Sequence, residues 1–133
     1  MNEGHRVHEV RIDGADVAPA GAFTIASRPA PPDVALIELA GELDIAATSA
    51  LRSYVDEAAD RRGLVLDLSG ATFVDSSMLK ELLRANAELA RDDTKLVLSG
   101  ISPVVRRVLE LTRTIGLFTI IGDRNEAVLL VAS

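Results

Sequence analysis

Apolar and polar positions alternate along AFTIAS, residues 22–27, the period of a half-buried strand. RPAPPD, 28–33, holds three of the five prolines and predicts a turn. VALIELAG, 34–41, is a nearly continuous apolar run, read as a second strand paired with the first. Asp44 suits an N-cap, and Ala47, Leu51, Val55 and Ala58 follow at helical spacing. LVLDL, 64–68, predicts a short buried strand. A second helix runs from about Ser76 to Arg91, with Leu79, Leu82, Leu83, Asn86 and Ala90 along one side. KLVLSG, 95–100, is another strand. Ser102-Pro103 then opens a helix, serine at the N-cap and proline at the first helical position, continued by Val105, Val108, Leu109 and Thr112. LFTII, 117–121, is the last strand, and Asp123-x-x-Glu126 is a capping box for a final helix with Val128 and Leu129.

The order ββαβαβαβα predicts an α/β fold: a mixed, mostly parallel sheet of about five strands with helices packed on it. Residues 1–21 stand apart. HEVRI has strand character and ADVAPAGA reads as linker, so this segment is a tail or an added edge strand before a domain over 22–133.

Composition narrows the function. The chain has 133 residues, one domain's worth, 48% of them apolar but only 3% aromatic, so the core is built from Leu, Val, Ile and Ala. A net charge of −6 argues against a nucleic-acid surface, which needs a basic patch. With one Tyr and no Trp, the chain also lacks the aromatics of a base-stacking platform. The absence of cysteine removes disulfides, thiolate nucleophiles and cysteine metal sites. MNEGHRVHEVRIDG has no apolar segment of a signal peptide, and no apolar run approaches the roughly 18 residues of a membrane helix. A soluble, cytoplasmic protein without membrane contact is expected.

Catalytic patterns are scarce. Neither a G-x-S-x-G elbow nor a phosphate-binding G-x-x-x-x-G-K occurs. The only histidines, His5 and His8, lie in the polar N-terminal segment and read as solvated tail residues, not metal ligands. Nucleophilic triads of the Ser-His-Asp or Cys-His kind therefore have no base. Glu42, Asp44, Asp67 and Asp75 lie at or near strand ends, where α/β folds place ligand sites. Asp44 has a capping explanation, however, and Asp67 with Ser69-Gly70 reads as a turn. An acid–base enzyme would need one pocket joining Asp67, Asp75 and Glu42. No such pocket, no cofactor and no metal are expected.

One stretch resists a purely structural account: FVDSSMLKELL, residues 73–83. Asp75, Ser76 and Ser77 are all favoured N-cap residues and could simply start the helix. Yet N3 would be Met78, Leu79 or Lys80, so no capping box forms. The alternative is a regulated hydroxyl. A phosphate adds about −1.5 to −2 charges and three acceptor oxygens. A helix start tolerates an anion, so the protein would stay folded while its surface changes sign locally. Ser76 is followed at i+4 by Lys80 and Ser77 by Glu81, which favours a phosphate on Ser76.

Four pieces carry a resemblance to a known family: IELAGELD (37–44), LVLDLSGATFVDSS (64–77), the leucine-rich helix after it, and KLVLSGISPVVRRVLELTRTIGLFTII (95–121). With the final helix they cover roughly residues 22 to 131. The chain resembles the STAS domain, and in particular the bacterial anti-sigma factor antagonists. The resemblance implies a binding module, not an enzyme. Unphosphorylated, such a protein binds an anti-sigma factor that is also a serine/threonine kinase, and so frees a sigma factor. The kinase switches it off by phosphorylating the serine after the aspartate, here Ser76, and a phosphoserine phosphatase restores it. Asp75 would present Ser76, and Ser77 would shape the loop as a minor acceptor. The implied partner face comprises Glu42, Asp44, Asp75, Ser76, Ser77, Met78 and Lys80, with the loop Ser99–Ser102 nearby. The family usually reads D-S-S-G with a small residue two positions later. Met78 and Lys80 stand there instead, Met78 as a core filler or an exposed knob. The competing reading is a constitutive STAS scaffold or ligand-sensing module in a multi-protein signalling complex.

Overall fold

The computed structural model describes the backbone of residues 6–10 and, in full, residues 23–30, 32–58 and 60–132. The elements run β1 (Arg6–Val10), β2 (Phe23–Ala30), β3 (Val34–Leu43), α1 (Ile45–Glu57), β4 (Gly63–Val74), α2 (Ser76–Arg91), β5 (Lys95–Ser99), α3 (Pro103–Leu111), a 3-10 turn (Ile115–Leu117), β6 (Thr119–Ile121) and α4 (Arg124–Ala132). From β2 onward this is the expected ββαβαβαβα order. The strands form one six-stranded sheet in chain order. β1, β2 and β3 pair antiparallel; β3 to β6 pair parallel. The linker reading of ADVAPAGA and the position of His5 lie outside the described residues.

The two-residue period of β4 explains the layering. Leu64, Leu66 and Leu68 point to one face, where Leu51 of α1, Met78, Leu82 and Leu89 of α2 and Val105 and Leu109 of α3 close the main core with Ile25, Ile37 and Leu39. Val65 points to the other face. There Val34, Leu36, Val65 and Val97 meet Ala127 and Val131 of α4 in a smaller cluster. Polar contacts fasten α4 at both ends. Arg124 pairs with Glu38 and Asp67, and Arg62 Nη1 donates to the Ala132 carbonyl at 3.0 Å.

Four local readings change. β2 runs through Arg28 and Pro29 to Ala30, leaving Pro32–Asp33 as the turn. Pro29 pairs with Ala35 of β3, and among the described residues β1 pairs with β2 only as far as Ser27, so no described β1 residue needs a donor from the proline. β4 does not stop at Leu68. Ser69 and Gly70 do not form a turn: Leu68 and Ser69 bulge opposite Leu39, Gly70 pairs with Ala40, and the strand continues to Val74, with register shifts opposite Glu38/Ala40 and Gly41/Glu42. Leu117 belongs to the 3-10 turn, so β6 is shorter than LFTII. The buried stripe of α2 is Met78, Leu82, Ala85 and Leu89, not the one through Asn86 and Ala90. α2 also buries Glu81, held by Arg84, which reaches Glu88 as well. The hydrogen bond to Glu81 keeps the Arg84 guanidinium above its ordinary range, against the opposing effect of burial.

Candidate functional site

Two strand-to-helix turns lie side by side. Leu43 and Val74 end β3 and β4 in register, and the Asp75 N–H donates to the Leu43 carbonyl at 3.2 Å. An aspartate follows each strand, takes extended backbone and caps the next helix. Asp44 Oδ1 accepts from the N–H groups of Ala46 and Ala47 at 3.1 and 3.3 Å. Asp75 Oδ1 accepts from the Met78 N–H at 3.0 Å. The capping reading of Asp75 is therefore correct, with Ser76 at N1, Ser77 at N2 and Met78 at N3.

The two serines have different surroundings. The Ser77 hydroxyl donates to Asp75 Oδ1 at 2.6 Å and lies 3.2 Å from Thr48 Oγ1, which donates to the Asp44 carbonyl at 3.0 Å. Ser77 thus sits half-buried between the two turns, bonded to Asp75 and close to Thr48. Ser76, about 100° away around the helix, is exposed, and among the described residues its hydroxyl makes no hydrogen bond. Lys80 is exposed one turn further on. Met78 is 0% exposed, which decides between its two readings: it fills the core beneath the serines. Glu42 and Asp44 are half-buried, Glu42 beside Phe73 in the ladder.

Three neighbours were not expected from the sequence. Ile45 and Phe73 are exposed apolar residues flanking the turns, and Thr48 supplies the hydroxyl near Ser77. Ile45 could have been found, because it falls out of phase with the buried Ala47–Leu51–Val55 stripe. Thr48 carries no such signal.

Ser99 and Ser102 do not join this face. Both are buried, and Ser102 caps α3 while its N–H donates to the Leu68 carbonyl at 3.3 Å. Ser99 pairs with Asp67, which precedes Asp75 by eight residues, two of them taken up by bulges. Six rises of about 3.3 Å put that level roughly 20 Å back along β4. The same offset separates the carboxylates. Asp67 lies on the α4 face, bonded to Arg124 and accepting from the Ser69 N–H at 2.9 Å. It borders a shallow groove of about 310 Å³ with Glu38, Thr24, Ser69 and Gly70, to which neither Glu42 nor Asp75 contributes. Among the described residues no group of three or more His, Cys, Asp and Glu is placed to hold a metal ion. No described helix is long and apolar enough to cross a membrane.

Comparison with known proteins agrees with this architecture. The family model of the STAS domain matches residues 26–127. A curated relative, the anti-sigma F factor antagonist of Paenibacillus polymyxa, is 32% identical over 90 residues, covering 65% of this chain and 74% of the relative. The crystal structure of an anti-sigma factor antagonist from Mycobacterium paratuberculosis superposes with a TM-score of 0.70 at 25% identity, covering 84% of this chain and 95% of that one. The phosphorylated form of the Bacillus cell fate determinant SpoIIAA gives a TM-score of 0.67 at 23% identity, over 80% of this chain and 98% of that one.

Proposed function

The chain belongs to the STAS domain family, and we propose that it is an anti-sigma factor antagonist switched by phosphorylation at Ser76. In this reading residues 22–133 are the working module, a cytoplasmic binding protein and not an enzyme. The unmodified form binds an anti-sigma factor that is also a serine kinase and so releases a sigma factor. The kinase transfers a phosphoryl group to Ser76 Oγ, the complex dissociates, and a phosphatase returns the serine by hydrolysis. The relatives named as anti-sigma factor antagonists support the first half of this account.

One observation carries the second half: Ser76 is exposed and unbonded, whereas Ser77 is engaged. A phosphate on Ser76 disturbs no existing bond. It sits at the positive end of α2, with Lys80 one turn away contributing about 0.2–0.5 kcal/mol. A phosphate on Ser77 would break the bond to Asp75 and set a dianion against its carboxylate. The switch therefore acts on binding and leaves folding alone. Covering an unpaired dianion at an interface costs several kcal/mol, and about 3 kcal/mol is roughly a hundredfold in affinity. Asp75 and Asp44 fix the two turns, Glu42 and Lys80 border the contact, and Met78 supports it from below.

The test compares wild type, Ser76→Ala and Ser76→Asp for binding to the anti-sigma factor and for melting temperature. Ser76→Asp should bind at least about tenfold more weakly, Ser76→Ala should bind like wild type, and all three should melt alike. Equal binding by Ser76→Asp and wild type refutes the switch.

A further inference from the structure

In a chain with 20 acidic and 14 basic residues, α3 and the turn after it run against the trend. Between Pro103 and Thr114 lie Arg106, Arg107 and Arg113 and a single acid, Glu110. All three arginines are exposed, and among the described residues none forms an ion pair. Leu111, 70% exposed, and Leu117, 61% exposed, stand beside them.

Arg113 closes α3. α3 ends in a reversal in which the Thr114 N–H donates to the Leu109 carbonyl at 2.9 Å and the Arg113 N–H to the Glu110 carbonyl at 3.1 Å. The residue at the bend takes φ 61°, a left-handed conformation that glycine adopts freely and an L side chain resists. An arginine is held there although no described residue pairs with its guanidinium. Asp93 takes the same conformation, φ 59°, in the matching reversal after α2, so what distinguishes Arg113 is its exposed positive charge.

We propose that Arg106, Arg107 and Arg113, with Leu111 and Leu117, form a second docking surface that receives an acidic segment of the anti-sigma factor bearing aliphatic side chains. The inference rests on the partner named above, and charge complementarity identifies the segment. The position suits it. The Leu117 carbonyl accepts from Asn86 Nδ2 at 3.0 Å, so the surface adjoins the middle of α2. Asn86 lies ten residues from Ser76, about 15 Å along the helix, within one interface of ordinary size. A phosphate at Ser76 leaves this surface untouched, so the affinity that remains after the complex is weakened is the salt-sensitive part.

Calorimetry with the purified anti-sigma factor, at low and high salt, tests the proposal with Arg113→Gly, the double variant Arg106→Glu/Arg107→Glu, and Leu129→Ser on α4 as control. Arg113→Gly should melt at or above the wild-type temperature, because it relieves the bend, yet bind about tenfold more weakly at low salt. The deficit should shrink at high salt. The double variant should lose more, and the control nothing. Wild-type affinity in both arginine variants, with Ser76→Asp still weakened, overturns this surface and leaves the Ser76 reading standing. Wild-type affinity in Ser76→Asp as well overturns both. Binding of wild type to phosphatidylglycerol vesicles that Arg113→Gly loses, with anti-sigma factor affinity unchanged, assigns the surface to lipid and overturns the proposal.

Discussion

Met78→Ala separates support from contact at the helix start. Met78 is fully buried in the first turn of α2, on the stripe with Leu82, Ala85 and Leu89. The substitution removes Cγ, Sδ and Cε, and at about 0.8 kcal/mol per buried group the transfer loss is roughly 2 kcal/mol. The cavity left behind raises buried Met→Ala changes to about 2–5 kcal/mol. Alanine returns a few tenths through helix propensity, on the order of 0.2 kcal/mol. A loss of about 3 kcal/mol is expected, which a domain with roughly 5–15 kcal/mol of stability survives folded. Lys80→Ala, at an exposed position of the same turn, should change stability by less than about 0.5 kcal/mol. Urea unfolding of the three proteins measures this as a shift in midpoint at constant slope. Binding to the anti-sigma factor, measured where the variant is folded, should stay within about twofold of wild type. A stability loss under about 1 kcal/mol, or a large affinity loss without one, would show that Met78 meets the partner and would refute the core assignment.

Ser77→Ala should cost about 1 kcal/mol, because it removes the bond to Asp75 and the approach to Thr48, while Ser76→Ala should be neutral; thermal unfolding distinguishes them, and equal costs would contradict the different environments. Gly63→Ala should destabilise by about 1–3 kcal/mol, since the new Cβ would lie 2.5 Å from Val131 Cβ where α4 crosses β4. A double-mutant cycle with Val131→Ala should recover part of that loss, and strict additivity would show that the close approach is not the cause.

Much of this architecture was legible because burial follows period. The α2 boundaries, the Ser102-Pro103 opening of α3 and the buried Ala47–Leu51–Val55 stripe could be read directly. Two of the misreadings share a cause: local composition was overruled by pairing. Ser69-Gly70 looks like a turn, but Gly70 is paired with Ala40, and a Cβ there would lie 2.8 Å from the Ala40 Cβ, so the glycine serves a close crossing within the sheet. Pro29 looks like a breaker, but it pairs with Ala35 of β3, and among the described residues β1 reaches only to Ser27. Of the site, the Asp75-Ser76-Ser77 trio was legible from residue type and position. The difference between the serines was not, because it depends on Thr48, 29 residues away in sequence. Nor could spacing show that Ser99 and Ser102 lie well back from the helix start, since that follows from the extra length and bulges of β4.

The most direct test of the account is intact-mass spectrometry with site mapping on the protein isolated from its native cell, in resting and stressed states. The account predicts a single phosphate on Ser76 whose occupancy changes between the states, with Ser77 and Thr48 essentially unmodified. No phosphate in either state, or one carried on Ser77, would contradict it.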